Sequence, residues 1–71
     1  MDGERAKALV DHYLELGGLR EADGNDGGGT VRAWSPEPPE AAAFWGEHIA
    51  TLTLIDQFEV FKFLPRKPKK Q

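Results

Sequence analysis

The segment Ser35-Pro36-Glu37-Pro38-Pro39 can be neither the interior of a helix nor a central strand. Its three prolines lack backbone N–H donors and hold the residues before them in extended conformations. This stiff connector cuts a chain of 71 residues into two short halves, and both have to contribute to one core. A chain of that length buries only about 60% of the surface it exposes when unfolded. It also contains no cysteine, so neither disulfides nor a thiolate zinc site can make up the deficit. Dense aromatic packing and self-association are the two remaining aids, and a second domain is excluded.

Ahead of the connector, Ala6, Leu9, Val10, Tyr13 and Leu14 recur at the spacing that lines one face of a helix. Asp2 is placed to cap its start, and Gly17-Gly18 to end it in a left-handed conformation, so a helix is expected over about residues 3 to 17. Two short polar-apolar segments, Leu19 to Ala22 and Thr30 to Trp34, flank the glycine-rich stretch Asp23 to Gly29. They read as a loose hairpin with Glu21 opposite Arg32 and a mobile tip.

After the connector, Pro39 suits the first helical position and Glu40 the first turn. Ala41, Phe44, Trp45, His48, Ile49, Leu52 and Ile55 then follow helical spacing. A second helix is expected from Pro39 to Thr51 or beyond, although Thr51 to Leu54 also alternates like a strand. Phe58 to Leu64 is rich in aromatic and β-branched residues and stops at Pro65, the composition of a third strand. The expected fold is α+β in the order α-β-β-α-β. Two helices pack on one face of a small, mostly antiparallel three-stranded sheet. Residues 1–64 form a single domain, and 65–71 a flexible basic tail.

Charge is distributed unevenly. Residues 1–61 carry all 12 acids and only Arg5, Lys7, Arg20 and Arg32 as bases, a net charge of -8. Residues 62–71 carry Lys62, Arg66, Lys67, Lys69 and Lys70, a net charge of +5. So acidic a body repels phosphates, while the tail can touch an anionic partner through salt-dependent contacts. No apolar run approaches the roughly 20 residues of a membrane span, and Met1-Asp2-Gly3 is no signal-peptide start. A cytoplasmic or otherwise intracellular protein with no membrane partner is expected.

The residues that carry chemistry are sparse. The single serine, Ser35, precedes Pro36 with no histidine nearby in sequence, which leaves no nucleophile with a base. His12 and His48 follow Asp11 and Glu47 but fall at no recognised ligand spacing. A calcium loop counted from Asp23 fails, since Gly27 and Trp34 occupy positions five and twelve where oxygen ligands are needed. Neither GxGxxG nor GxxxxGK[ST] occurs. No enzyme activity, catalytic residue, metal site or cofactor is expected. The tail residues Pro65 to Lys70 match a PxxP pattern followed by a basic residue and also a basic localisation stretch, both short enough to arise by chance.

The aromatics point further. In a strand over 58–64, Phe58, Val60 and Leu64 face one way and Phe61 and Phe63 the other, so helices on one side leave one aromatic set uncovered. The expectation is therefore a small non-enzymatic protein-interaction module: an adaptor, regulator or inhibitor of another protein. It would act through a strand face of Phe61 and Phe63 with Glu59 and Trp34, through an acidic surface, and with the tail as an electrostatic accessory. A homodimer is one form of this. The alternative is a nucleic-acid-binding protein whose Phe61 and Phe63 stack on bases while Arg66, Lys67, Lys69 and Lys70 neutralise phosphates.

Overall fold

The computed structural model describes residues 1–22, 31–33 and 36–66. The glycine-rich turn, Trp34 and tail residues 67–71 lie outside the described residues. Helix α1 spans Gly3–Glu15. Asp2 caps it as expected, its carboxylate accepting from the Arg5 amide at 2.9 Å. At the other end Gly17 takes φ +92°. The Gly17 amide donates to Leu14 O at 2.9 Å and the Gly18 amide to Tyr13 O at 3.1 Å. This paired bonding is a Schellman cap, and it requires the glycine in the left-handed region. Ala6, Val10 and Tyr13 bury the inner face of α1, while Leu14 is left near the surface.

Strands β1 (Arg20–Ala22) and β2 (Val31–Ala33) pair antiparallel. Arg20 faces Ala33, Glu21 faces Arg32 and Ala22 faces Val31, so the expected opposition of Glu21 and Arg32 holds. On the other edge of β1 the Ala22 amide donates to Pro65 O at 2.9 Å, and Ala22 forms a parallel bridge with Arg66. The first two residues of the expected tail are therefore tied to the sheet.

Helix α2 begins at Pro39 and runs to Phe44, then continues as a π-helical turn over Trp45–Ile49. There the Ala50 amide reaches back five residues to Trp45 O at 2.8 Å. Residues four apart drift around an α-helix of 3.6 residues per turn. The wider π turn opposes that drift, and Ala41, Trp45 and Ile49 are all buried. The helix does not continue through Thr51 into Ile55 as the longer reading had it. Instead Thr51 Oγ1 donates to Glu47 O at 3.2 Å, and the chain turns at Thr51 and Leu52.

The main correction concerns residues 58–64. They form no strand: α3 is a helix spanning Leu54–Phe63, and the sheet of the described residues has two strands. The order is α1-β1-β2-α2-α3, an α+β fold but not the expected three-stranded sheet. The physical reason lies just upstream. Thr53 is extended, and its Oγ1 accepts from the Asp56 amide at 3.2 Å, the S/T-x-x-D arrangement that starts a helix. Gln57 secures the junction by donating from Nε2 to Leu52 O at 2.8 Å. Aromatic and β-branched content marks a residue suited to a half-buried surface, and a helix supplies one as readily as a sheet.

Helix α3 packs mainly on α1, turning Val60 inward, and Leu64 just beyond its end is buried with it. The Met1 ammonium donates to Asp56 Oδ1 at 2.9 Å, a hydrogen bond that also raises the amine pKa above its ordinary value. The core is small: Ala6, Val10, Tyr13, Ala22, Ala41, Trp45, Ile49, Val60 and Leu64. No described helix is long and apolar enough to cross a membrane.

Candidate functional site

Because α3 is a helix, its side chains divide differently from those of a strand. Val60 is buried on the inner face, with Leu64 buried just past the helix end, and the outer face carries Leu54, Ile55 and Phe58. Leu54 is 70% exposed, Ile55 75% and Phe58 48%, so three large apolar side chains stand in water within five residues. Scattered exposed leucines are ordinary; adjacent apolar side chains on one helix face form a patch. Glu59 and Lys62 border it, with Nζ 3.1 Å from Oε2.

The residues expected from the sequence are distributed around this patch. Phe61 is half-buried against the core and meets the Phe58 ring edge-on at 5.9 Å between centroids. Phe63 is more exposed and sits close to Gly3, where an added Cβ would meet its ring at 3.7 Å. Helical spacing sets Phe61 and Phe63 on opposite flanks of the buried stripe, so the common strand face expected of them does not form. Glu59 is half-buried, while Lys62 and Arg66 are exposed. Trp34, Lys67, Lys69 and Lys70 lie outside the described residues. Sequence reasoning does not single out Leu54 and Ile55: Ile55 follows the spacing of the second helix, and Leu54 falls where that helix and a strand-like alternation compete. The available signal was the Thr53-x-x-Asp56 cap directly ahead of an apolar run.

A second cluster is structural. The Tyr13 hydroxyl donates to Glu37 Oε2 and accepts from the Arg20 amide at 3.0 Å. The Arg20 guanidinium grips Glu37 with Nε to Oε2 and NH2 to Oε1, both 3.2 Å. The same guanidinium lies 4.6 Å from the centre of the Trp45 ring, and Trp45 meets Tyr13 edge-on at 5.1 Å. Burial raises the Tyr13 phenol to about 12, and donation to Glu37 adds to the shift. Burial alone would also raise Glu37, but hydrogen bonds from Tyr13 and Arg20 and the guanidinium charge outweigh it and hold the carboxyl below its ordinary value. This network ties α1, β1, the proline connector and α2 together. Sequence spacing gave no sign of it, because its four members come from four segments.

His12 and His48 are exposed, and both rings rest on Phe44, with centroids at 4.8 and 4.6 Å. His48 is exposed even though it falls on the helical spacing of Ala41, Trp45 and Ile49. Each imidazole has one carboxylate at 4.0 Å, Glu15 for His12 and Glu47 for His48. Among the described residues no three His, Asp or Glu side chains converge as metal ligands would. Comparisons with protein-family models, curated proteins and solved structures find no match for this chain, so its function has to be argued from the geometry of its own surface.

Proposed function

We propose that this chain is a small non-enzymatic protein-interaction module whose contact element is the outer face of α3. The observation that carries this is the joint exposure of Leu54, Ile55 and Phe58 on a helix that Thr53 caps and that Val60 anchors from behind. An apolar helix face on a rigid base is the form that groove-binding helices use, with anchors one turn apart.

The partner that fits is another protein presenting an apolar groove with a basic rim. Three side chains fall well short of the roughly 800 Å² per partner that a standard interface buries. A flat pairing with a second copy would therefore be weak, whereas a groove encloses the helix from both sides. The body charge of -8 over residues 1–61 favours a basic rim. In this reading Phe61, Phe63 and Glu59 are flanking contacts. The basic residues Lys62, Arg66, Lys67, Lys69 and Lys70 act as an electrostatic accessory.

The test compares the intact chain with the double variant Ile55→Asp, Phe58→Asp. Mass by light scattering across a concentration series defines self-association, and affinity capture at matched protein levels defines partners. The expected result is a protein retained by the parent, weakened but not released by a doubling of salt, and lost from the variant, with both chains giving the same circular dichroism spectrum. Equal retention by parent and variant would overturn the reading. A dimer that survives salt and is abolished in the variant would assign the face to self-association instead.

A further inference from the structure

The proline connector is held in shape by the fold around it. Glu37 turns inward, its carboxylate accepting from the Tyr13 hydroxyl and from the Arg20 guanidinium. Pro38 lies over Gly17, where an added Cβ would meet Pro38 Cγ at 3.0 Å. Pro38 stands at φ -59° and ψ 143°, the polyproline II region. Glu37 and Pro38 each precede a proline, which keeps both extended. A polyproline II segment has three residues per turn, and burial follows that period: Glu37 and Pro38 are half-buried, while Pro36 and Pro39 are exposed. The two exposed rings therefore share one edge of the segment, about 9 Å apart at a rise of about 3.1 Å per residue.

We propose that this edge docks into a protein groove lined by aromatic side chains and rimmed by basic ones, of the kind that recognises polyproline II ligands. Pro36 and Pro39 fill successive pockets of that groove, at the P-x-x-P spacing. Being prolines, they also bring no amide hydrogen that has to be desolvated. A free proline-rich peptide has to be ordered as it binds; here Tyr13, Arg20 and Gly17 have already done so, and less entropy is lost. Charge sets the rim. The Glu37 carboxylate is paired with Arg20, but Glu40 is exposed one residue past Pro39, and residues 1–61 carry a net charge of -8. A basic rim complements this and an acidic one is repelled. These residues are distinct from those of the α3 face, so the two readings stand or fall separately.

The test titrates the labelled full chain with a panel of purified SH3 and WW domains whose groove rims span acidic to basic, read by fluorescence anisotropy. Saturable binding is expected from domains with basic rims. The double variant Pro36→Ala, Pro39→Ala should weaken it at least about tenfold, as loss of two anchors in a pocket does. Alanine in place of the groove's aromatic side chains should do the same. Pro68→Ala, in the chain's other P-x-x-P match, should leave binding unchanged, and so should Ile55→Asp with Phe58→Asp. Should the double proline variant fail to fold, Pro36→Ala alone takes its place and should weaken binding several-fold. Binding by no domain of the panel, binding strongest at acidic rims, binding that survives the proline variants, or binding lost on Pro68→Ala overturns the proposal.

Discussion

The Gly18 backbone lies directly against the Tyr13 ring: a Cβ built at Gly18 would stand 2.3 Å from ring carbons of Tyr13. That ring is fixed by Trp45, Arg20 and Glu37, so it cannot give way cheaply. Gly18→Ala should destabilise the protein by about 2–3 kcal/mol, as overpacking of a buried site does. Gly46, by contrast, has open space around it. Gly46→Ala should be neutral or stabilising by up to about 1 kcal/mol through helix propensity. Urea unfolding of the two variants measures the difference.

The ion pair between Arg20 and Glu37 should matter more than an exposed pair, since Glu37 is largely enclosed and also receives the Tyr13 hydroxyl. Glu37→Ala removes an acceptor from two donors at once and should cost about 2–3 kcal/mol. The Lys7 and Asp11 pair is exposed on both sides, and Asp11→Ala should change stability by less than about 0.5 kcal/mol.

The same network sets a pH window. Glu37 is held below its ordinary value of 4.5, so its contribution is full above that pH and is lost as the pH falls through the lower folded value. Tyr13 is raised from 10.0 to about 12. Its contribution is full below pH 10 and is lost as the pH climbs towards 12. Melting temperature should therefore fall on both sides of a broad plateau, and Tyr13→Phe should abolish the alkaline limb and also shrink the acid one, because the Tyr13 hydroxyl is one of the donors that hold Glu37 down.

Helix and strand make opposite statements about residues 58 and 60. In a strand both side chains share a face; in α3 Val60 is buried and Phe58 looks outward. Val60→Ala should cost about 1.5–3 kcal/mol, and Phe58→Ala under about 1 kcal/mol. Thr53→Ala should cost about 1 kcal/mol through loss of the cap. Comparable losses at Phe58 and Val60, with none at Thr53, would be the signature of a strand.

What the sequence made legible was local. Asp2, the apolar run to Tyr13 and Gly17 define α1 because cap, stripe and stop all lie within 16 residues of each other. The opposition of Glu21 and Arg32 followed from turn chemistry in the same way. In α3 the cap at Thr53 outweighs the strand-like composition of residues 58–64, and the apolar face therefore lies on Leu54, Ile55 and Phe58 instead of on Phe61 and Phe63. The Tyr13, Arg20, Glu37 and Trp45 network was invisible because it depends on how four separate segments meet. Without the tertiary arrangement, a glutamate between prolines has no special meaning.

The π turn over Trp45–Ile49 has the form an α-helix takes when it absorbs one inserted residue without losing its axis. Relatives of this chain could then exist in two lengths, differing by one residue after Phe44. The shorter form would carry an unbroken α-helix in which the residues after the gap keep the places they hold here, because the π turn takes up the extra residue locally. Ile49 would keep its seat in the core. A gap of one residue near Gly46, with no compensating change at position 49, is therefore the ancestral trace that this fold should leave in a lineage.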